Sequence, residues 1–178
     1  MASGSQSSHV FPFVIGLTDG ILTALTFAAA KVVRSPDPLT LSLALRIAAA
    51  SSLSGMFVFF AAEYIHQRGA LVRAERQLSL RAGGRLASTR LGRAILLETL
   101  LGAALSSSCN FVGALVPLLA GALVPQRSWL ALAVGIAVLG ALGLAAGRAS
   151  HGRPLLWAAA LMSAGAALSA VGLELRIV

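Results

Sequence analysis

Four ionisable side chains stand out within the long apolar runs of this sequence: Asp19, Arg46, Glu63 and Glu98. A charged group at membrane depth is costly, so each of them is a candidate functional group. Asp19 is followed by Thr23 and Thr26, at i+4 and i+7, which places all three on one stripe of a helix. A carboxylate beside hydroxyls suits a desolvated cation or a proton relay. The alternative interpretation is a buried acid whose charge is satisfied by a neighbouring helix.

Two further carboxylates lie near the ends of apolar runs. Glu63 is about one turn before the end of the second run, and Glu98 is at a similar depth after the start of the third. Together they could admit a cation from the cytoplasm, because oxygen ligands suit hard divalent metals such as Mg(II), Mn(II) and Fe(II). Each could equally extend its carboxylate to water at the membrane surface.

Two sulfur-containing residues could add softer metal ligands. Met56 lies seven residues before Glu63 and shares its stripe, and Cys109 lies on the helical face of Glu98. Methionine within a span more often fills space, and a lone cysteine is often only a small buried hydrophobe. The candidate metal ligands are therefore Asp19, Glu63, Glu98, Met56 and Cys109.

The sequence contains no set of residues typical of an enzyme. All three histidines, His9, His66 and His151, fall outside the apolar runs, and there is no glycine-rich phosphate loop and no Cys/His metal-binding cluster. We therefore expect no enzymatic activity and no tightly bound cofactor.

The amino-acid composition indicates which structural elements carry these candidate residues. Of the 178 residues 57% are hydrophobic and 11% are charged, against roughly 25% charged residues in a typical soluble domain. Five runs reach the roughly 20 apolar residues that a membrane-spanning helix needs. We predict an all-α integral membrane protein. It has a disordered tail over residues 1–10 and one five-helix domain over 11–178. The predicted spans cover about 11–33, 39–65, 94–124, 129–147 and 154–174.

The basic residues indicate topology rather than nucleic-acid binding. The net charge is +8, but arginine is concentrated in the long connection 66–93, which the positive-inside rule places in the cytoplasm together with the N-terminus. This connection could form an amphipathic helix on anionic lipid or dock a partner. It could equally be a solvated extension of the second helix. The arginines that would make such contacts are Arg68, Arg73, Arg76, Arg81 and Arg85.

Other sequence features are informative about packing and location. Gly143 and Gly147 have the spacing that lets membrane helices approach closely. Arg46 and Glu174 are expected at the same membrane face, where they could form a structural ion pair. The composition, rich in Ala, Gly, Leu and Arg, is typical of a bacterial plasma membrane protein.

Three segments, taken in order, resemble the vacuolar iron transporter family, which includes the yeast calcium-sensitive cross-complementer transporters and the plant nodulin-21-like proteins. The segment 16–23, Gly-Leu-Thr-Asp-Gly-Ile-Leu-Thr, resembles the Asp-Gly signature of that family's first helix. Ala62-Glu63-Tyr64 resembles the end of its second helix, and residues 113–119 resemble the Gly-Ala-Leu-x-Pro-Leu-Leu stretch of its third.

The resemblance implies a five-helix homodimer with a cytosolic N-terminus that exports Fe(II), Mn(II) and related metals from the cytosol by proton exchange, along a path at the dimer interface. Asp19 would be the intramembrane carboxylate for metal and proton, and Glu63 would line the cytoplasmic end of the path.

Two departures from the family pattern motivate an alternative function. Phe59 occupies a position where family members usually carry methionine, and the connection 66–93 is basic where many members have a Glu-rich metal-binding domain. A positive connection repels cations. The alternative is a non-transporting membrane anchor or accessory subunit of a larger membrane complex.

Overall fold

The computed structural model describes residues 4–34, 40–77, 90–124, 129–149 and 152–174. Within these ranges the chain forms helices and no strand, as predicted. The helices, in chain order, are α1 (Gly4–Arg34), α2 (Leu41–Gln77), α3 (Arg90–Leu123), α4 (Trp129–Ala149) and α5 (Pro154–Glu174).

All five described helices contain a stretch that is long and apolar enough to cross a membrane, which confirms the predicted all-α membrane architecture. Large apolar side chains face outward from them, and the exposed fraction reaches 75% for Phe57 and 77% for Leu155. Such exposure is costly in water and favourable in lipid. The candidate spans are Val10–Lys31, Leu41–Arg73, Gly92–Leu123, Trp129–Ala149 and Pro154–Glu174.

Two helix ends differ from the sequence-based boundaries. Helix α1 begins at Gly4, so most of the predicted tail is helical, and α2 continues to Gln77, well past the predicted end at residue 65. The residues that extend α2 are mostly Ala, Leu, Arg, Glu and Gln, which favour helix. An apolar run shows where the membrane ends, and a helix can continue into water.

The extension of α2 carries part of the predicted basic surface. Arg68 and Arg73 are exposed on α2, and the backbone of Arg76 is helical. This agrees with the interpretation of the connection as an extension of the second helix, as far as Gln77. Arg81 and Arg85 lie outside the described residues.

Helix α1 contacts all four of the other described helices. Helix α3 packs against α1, α2 and α4, and α4 and α5 form a hairpin. Helix α2 packs mainly on α3 and only lightly on α1. The light contact leaves a groove between α1 and α2, with α3 as its floor.

Glycines bring α1 and α3 into backbone contact. A Cβ atom added to Gly16 or Gly20 would overlap the backbone carbonyl oxygen of Ser106 or Asn110, respectively, and one added to Gly113 would lie 2.6 Å from the carbonyl oxygen of Leu17. Lipid tails are as apolar as the helices, so close van der Waals contact of this kind is a main source of association between them.

The predicted close packing at Gly143 and Gly147 is confirmed. A Cβ on Gly143 would lie 2.5 Å from the Cα of Ala158, and one on Gly147 would lie 2.5 Å from the Cα of Pro154. The two glycines therefore hold α4 against α5.

The predicted pairing of Arg46 with Glu174 is wrong. The two side chains are exposed on α2 and α5, and these two helices do not contact each other in the described part of the chain. Sequence reasoning placed both residues at one membrane face but could not give the order of the helices around the bundle.

Replacing Gly20 by Ala should destabilise the protein, because the new methyl group would overlap the backbone of α3 at Asn110. Overpacking of this kind costs about 1–3 kcal/mol. Thermal unfolding of the purified protein in detergent measures the change. The matched control is Gly69→Ala, whose methyl group would meet only the flexible end of Arg73, at 3.6 Å. Equal stability of the two variants would contradict the backbone contact.

Candidate functional site

The groove between α1 and α2 contains a cavity of about 680 Å³. Its walls are apolar over most of their area, and polar side chains project into it from all three surrounding helices. The lining residues are Phe11, Ile15, Gly16, Asp19 and Thr23 of α1, Ser51, Ser54, Gly55, Val58, Phe59, Ala62, Glu63 and His66 of α2, and Ser106 and Asn110 of α3.

Asp19 lies near the middle of the membrane-spanning part of α1. This span runs over the 22 residues Val10–Lys31. Asp19 is nine residues after Val10, which corresponds to about 14 Å along the helix axis. Its side chain is exposed to the groove rather than packed inside the bundle. The carboxylate is therefore accessible from the cavity while remaining far from either end of the helix.

A chain of hydrogen bonds joins Asp19 to the other two helices of the groove. The Nδ2 group of Asn110 donates to Oδ2 of Asp19 at 2.6 Å, and Ser51 Oγ donates to Oδ1 of Asn110 at 2.9 Å. The Asn110 side chain is only 1% exposed, so both ends of its amide need the partners that they have. One carboxamide on α3 thus fixes the position of Asp19 relative to α2.

Gly55 packs closely beside this hydrogen bond. A Cβ atom at Gly55 would lie 2.6 Å from Nδ2 of Asn110 and 3.3 Å from Oδ2 of Asp19. The position that adjoins both the amide and the carboxylate therefore has no room for a side chain of α2.

A pair of serines, Ser52 of α2 and Ser107 of α3, joins the two helices next to Ser51. The hydroxyl groups of Ser52 and Ser107 lie 2.7 Å apart, and each is also within hydrogen-bond distance of the other residue's backbone carbonyl oxygen, at 2.9 and 3.0 Å. Each hydroxyl has one proton to donate, so two of these three hydrogen bonds form at a time. In the apolar interior of a membrane, reciprocal bonds of this kind fix the register of two helices.

The second carboxylate of the groove lies toward the end that is predicted to be cytoplasmic. Glu63 and His66 line the same cavity, about 12 Å and 16 Å along α2 from Gly55. Glu63 accepts a hydrogen bond from Nε2 of Gln67 at 2.7 Å. The groove therefore connects a carboxylate at mid-membrane depth with a carboxylate and an imidazole nearer the helix end.

The structure groups only some of the candidate residues. Asp19, Glu63 and Thr23 share the cavity. Thr26 instead donates to carbonyl oxygens of its own helix, at Leu22 and Thr23. The residues that do not line the cavity are Glu98, which is exposed on α3, Met56, which is half-buried, and Cys109, which is buried.

None of the described residues that line the groove is a methionine or a cysteine. Phe59 lines the cavity and packs near Phe11, with ring centroids 6.4 Å apart. Among the residues that the structure describes, no group of three or more His, Cys, Asp or Glu side chains is placed to hold a metal ion. The available polar atoms in the middle of the groove belong to carboxylate, amide and hydroxyl groups.

Sequence reasoning missed the roles of Asn110, Ser51 and His66. Asn110 ends a polar run, Ser-Ser-Ser-Cys-Asn, in the middle of an apolar helix, and an amide at that depth is itself a signal of a buried hydrogen-bond network. His66 was assigned to a connection because the apolar run ends at Ile65. The continuation of α2 places it in the groove.

Comparison of the chain with protein-family models, with curated proteins and with solved structures finds no match.

Removing both hydroxyls of the Ser52–Ser107 pair should lower the free energy of unfolding by less than the sum of the two single losses, because either single change already breaks the hydroxyl–hydroxyl contact. A double-mutant cycle of Ser52→Ala and Ser107→Ala should give a coupling energy of about 0.6 kcal/mol, and up to about 1.7 kcal/mol. Unfolding in detergent provides the free energies.

The control cycle uses Ser108→Ala and Ser163→Ala, whose hydroxyls bond only to carbonyl oxygens of their own helices. Their effects should add. A coupling energy of zero for the Ser52–Ser107 pair would show that the pair does not fix α2 on α3.

Proposed function

We propose that this protein transports a divalent metal ion, Fe(II) or Mn(II), out of the cytosol by exchange for protons. The observation that carries the proposal is the Asp19 carboxylate, exposed to a cavity at mid-membrane depth and held there by Asn110. An intramembrane carboxylate that faces a cavity is typical of ion and proton pathways. The resemblance of three ordered segments to the vacuolar iron transporter family points to the same function.

The polar groups along the groove support a path for the ion. Glu63 and His66 form the cytoplasmic end, where a cation would exchange water for protein ligands, and Asp19 is the next carboxylate in the cavity. Asp19 can bind either a cation or a proton at one time. This competition is the simplest physical basis for exchange, since release of one is required for binding of the other.

A homodimer in a bacterial plasma membrane completes the proposal. The groove is open between α1 and α2, and its rim carries large exposed apolar side chains such as Phe11 and Val58. A second copy packed on this side would close the path from lipid, as the family resemblance implies. The remaining apolar surfaces would contact membrane lipids.

Replacing Asp19 by Asn should abolish metal flux without unfolding the protein. Asparagine has the same shape, and its side-chain oxygen can still accept the Asn110 hydrogen bond, but it carries no charge. Uptake of Mn(II) into proteoliposomes with an imposed pH gradient should fall to the level of empty liposomes.

The matched control for this experiment is Glu98→Gln, which removes an exposed carboxylate of α3 that does not line the cavity. It should retain wild-type flux. Wild-type flux in the Asp19→Asn variant would refute the proposed path.

Proton exchange predicts that the direction of metal accumulation follows the pH gradient. Metal should accumulate in the compartment that is initially more acidic, and inverting the gradient should invert the accumulation. A protonophore that collapses the gradient should abolish accumulation while downhill metal flux continues. Accumulation that does not depend on the pH gradient would indicate a metal uniporter instead of an exchanger.

A second candidate function is a non-transporting anchor or accessory subunit of a larger membrane complex. The outer face of α2 favours it, because Leu53 and Phe57 are 60% and 75% exposed and the exposed Arg68 and Arg73 follow on the same helix. Such a face could dock another membrane protein with an acidic cytoplasmic surface. Stoichiometric co-purification of one specific partner, with no metal flux by the isolated chain, would support this function.

A further inference from the structure

The polar atoms around Asp19 indicate how a cation would be bound there. One carboxylate oxygen, Oδ2, is bonded to the amide of Asn110, and both side chains line the cavity. The amide presents its nitrogen, a hydrogen-bond donor, to the carboxylate. A donor cannot ligate a cation, so this arrangement suits Asp19 without a bound metal.

A half-turn of the Asn110 side chain about its last torsion would exchange the amide nitrogen and oxygen. The two ends of a carboxamide have nearly the same size, so the rotation needs almost no additional space. Ser51 can satisfy the buried end in both orientations, because a hydroxyl both donates and accepts. It donates to Oδ1 at 2.9 Å in the observed orientation and would accept from Nδ2 in the other.

We propose that Asn110 is a cation ligand of the Asp19 site, which it joins by turning its carbonyl oxygen toward the carboxylate when the metal binds. The loaded site would then consist of a carboxylate oxygen, an amide oxygen and water. The inference rests on the proposed cation path at Asp19 and names the chemistry of that site.

This donor set identifies the class of cation. Carboxylate, carbonyl and water ligands suit hard divalent ions such as Mg(II) and Mn(II), whereas thiolate and thioether ligands select softer metals. Neither Met56 nor Cys109 lines the cavity. The site therefore binds Mn(II) through oxygen alone, and Mg(II) competes for it.

The experiment measures equilibrium binding of Mn(II) to the purified full chain in detergent, by the electron paramagnetic resonance signal of the free ion. Asn110→Leu has a similar volume and offers no oxygen, so the affinity should fall roughly tenfold or more. Asn110→Asp keeps an oxygen at the same place and should bind Mn(II) at least as tightly as the wild type. Excess Mg(II) should displace Mn(II) from the wild type.

Two controls separate ligation from folding. Ser108→Ala removes an exposed hydroxyl of the same helix that bonds to the carbonyl of Ala104, and Cys109→Ala removes the buried thiol. Both should bind Mn(II) like the wild type. Gly55→Ala places a methyl group against the Asn110 amide and should weaken binding although every ligand remains. Thermal unfolding checks that each variant is folded.

The outcomes distinguish this inference from the proposed function. Wild-type Mn(II) affinity in folded Asn110→Leu would overturn the inference without contradicting metal transport. Equal losses of Mn(II) affinity in Asn110→Leu and Asn110→Asp would have the same meaning. Binding by the wild type that Mg(II) cannot displace would overturn the oxygen-only site. Binding that depends on Asn110 in a protein without metal flux would support the inference and overturn transport.

Discussion

The backbone contact between α1 and α3 is the constraint on which the rest of the structure depends. Gly16 and Gly20 bring α1 so close to α3 that no side chain fits between the two helices at Ser106 and Asn110. Asp19 is adjacent to Gly20, so its short side chain can reach the Asn110 amide. With a larger residue at either glycine, α1 would move outward and the carboxylate would lose the partner that holds it at mid-membrane depth.

Helix α2 is held by a different kind of interaction. It contacts α1 only lightly and lies on α3 through the Ser52–Ser107 pair and the Ser51–Asn110 bond. Hydrogen bonds between membrane helices contribute little free energy each, about 0.6 kcal/mol on average, but they are directional. They therefore fix the register of α2 while leaving the groove between α1 and α2 open, so that the same bonds that align the helix also shape the cavity.

The two ends of the cavity differ in a way that fits a path rather than a closed chelating site. Asp19 at mid-membrane depth shares its surroundings with amide and hydroxyl groups, whereas Glu63 and His66 lie nearer the end of the span. Glu63 lies about 12 Å along α2 from Gly55, the residue beside Asp19, so the two carboxylates lie at different depths in the groove. A cation passing along the groove would therefore exchange ligands stepwise.

Much of the fold could be predicted from the sequence, because hydrocarbon thickness fixes the length of an apolar run and every run formed a helix. The spacing of Gly143 and Gly147 predicted a close helix contact, but it did not identify α5 as the partner. The placement of Glu98, Met56 and Cys109 outside the cavity could not be predicted, because residues on one face of a helix share a direction but not a neighbour. The order of the helices in the bundle decides which faces meet, and a single sequence does not contain that order in any local pattern.

The central claim is that a divalent cation binds at Asp19 inside the groove. The most direct test is a crystal structure of the full chain saturated with Mn(II), with diffraction data collected near the manganese absorption edge. We expect an anomalous peak inside the cavity, within coordination distance of an Asp19 carboxylate oxygen and of the Asn110 side-chain oxygen. Manganese bound only at the protein surface, with no peak beside Asp19, would contradict it.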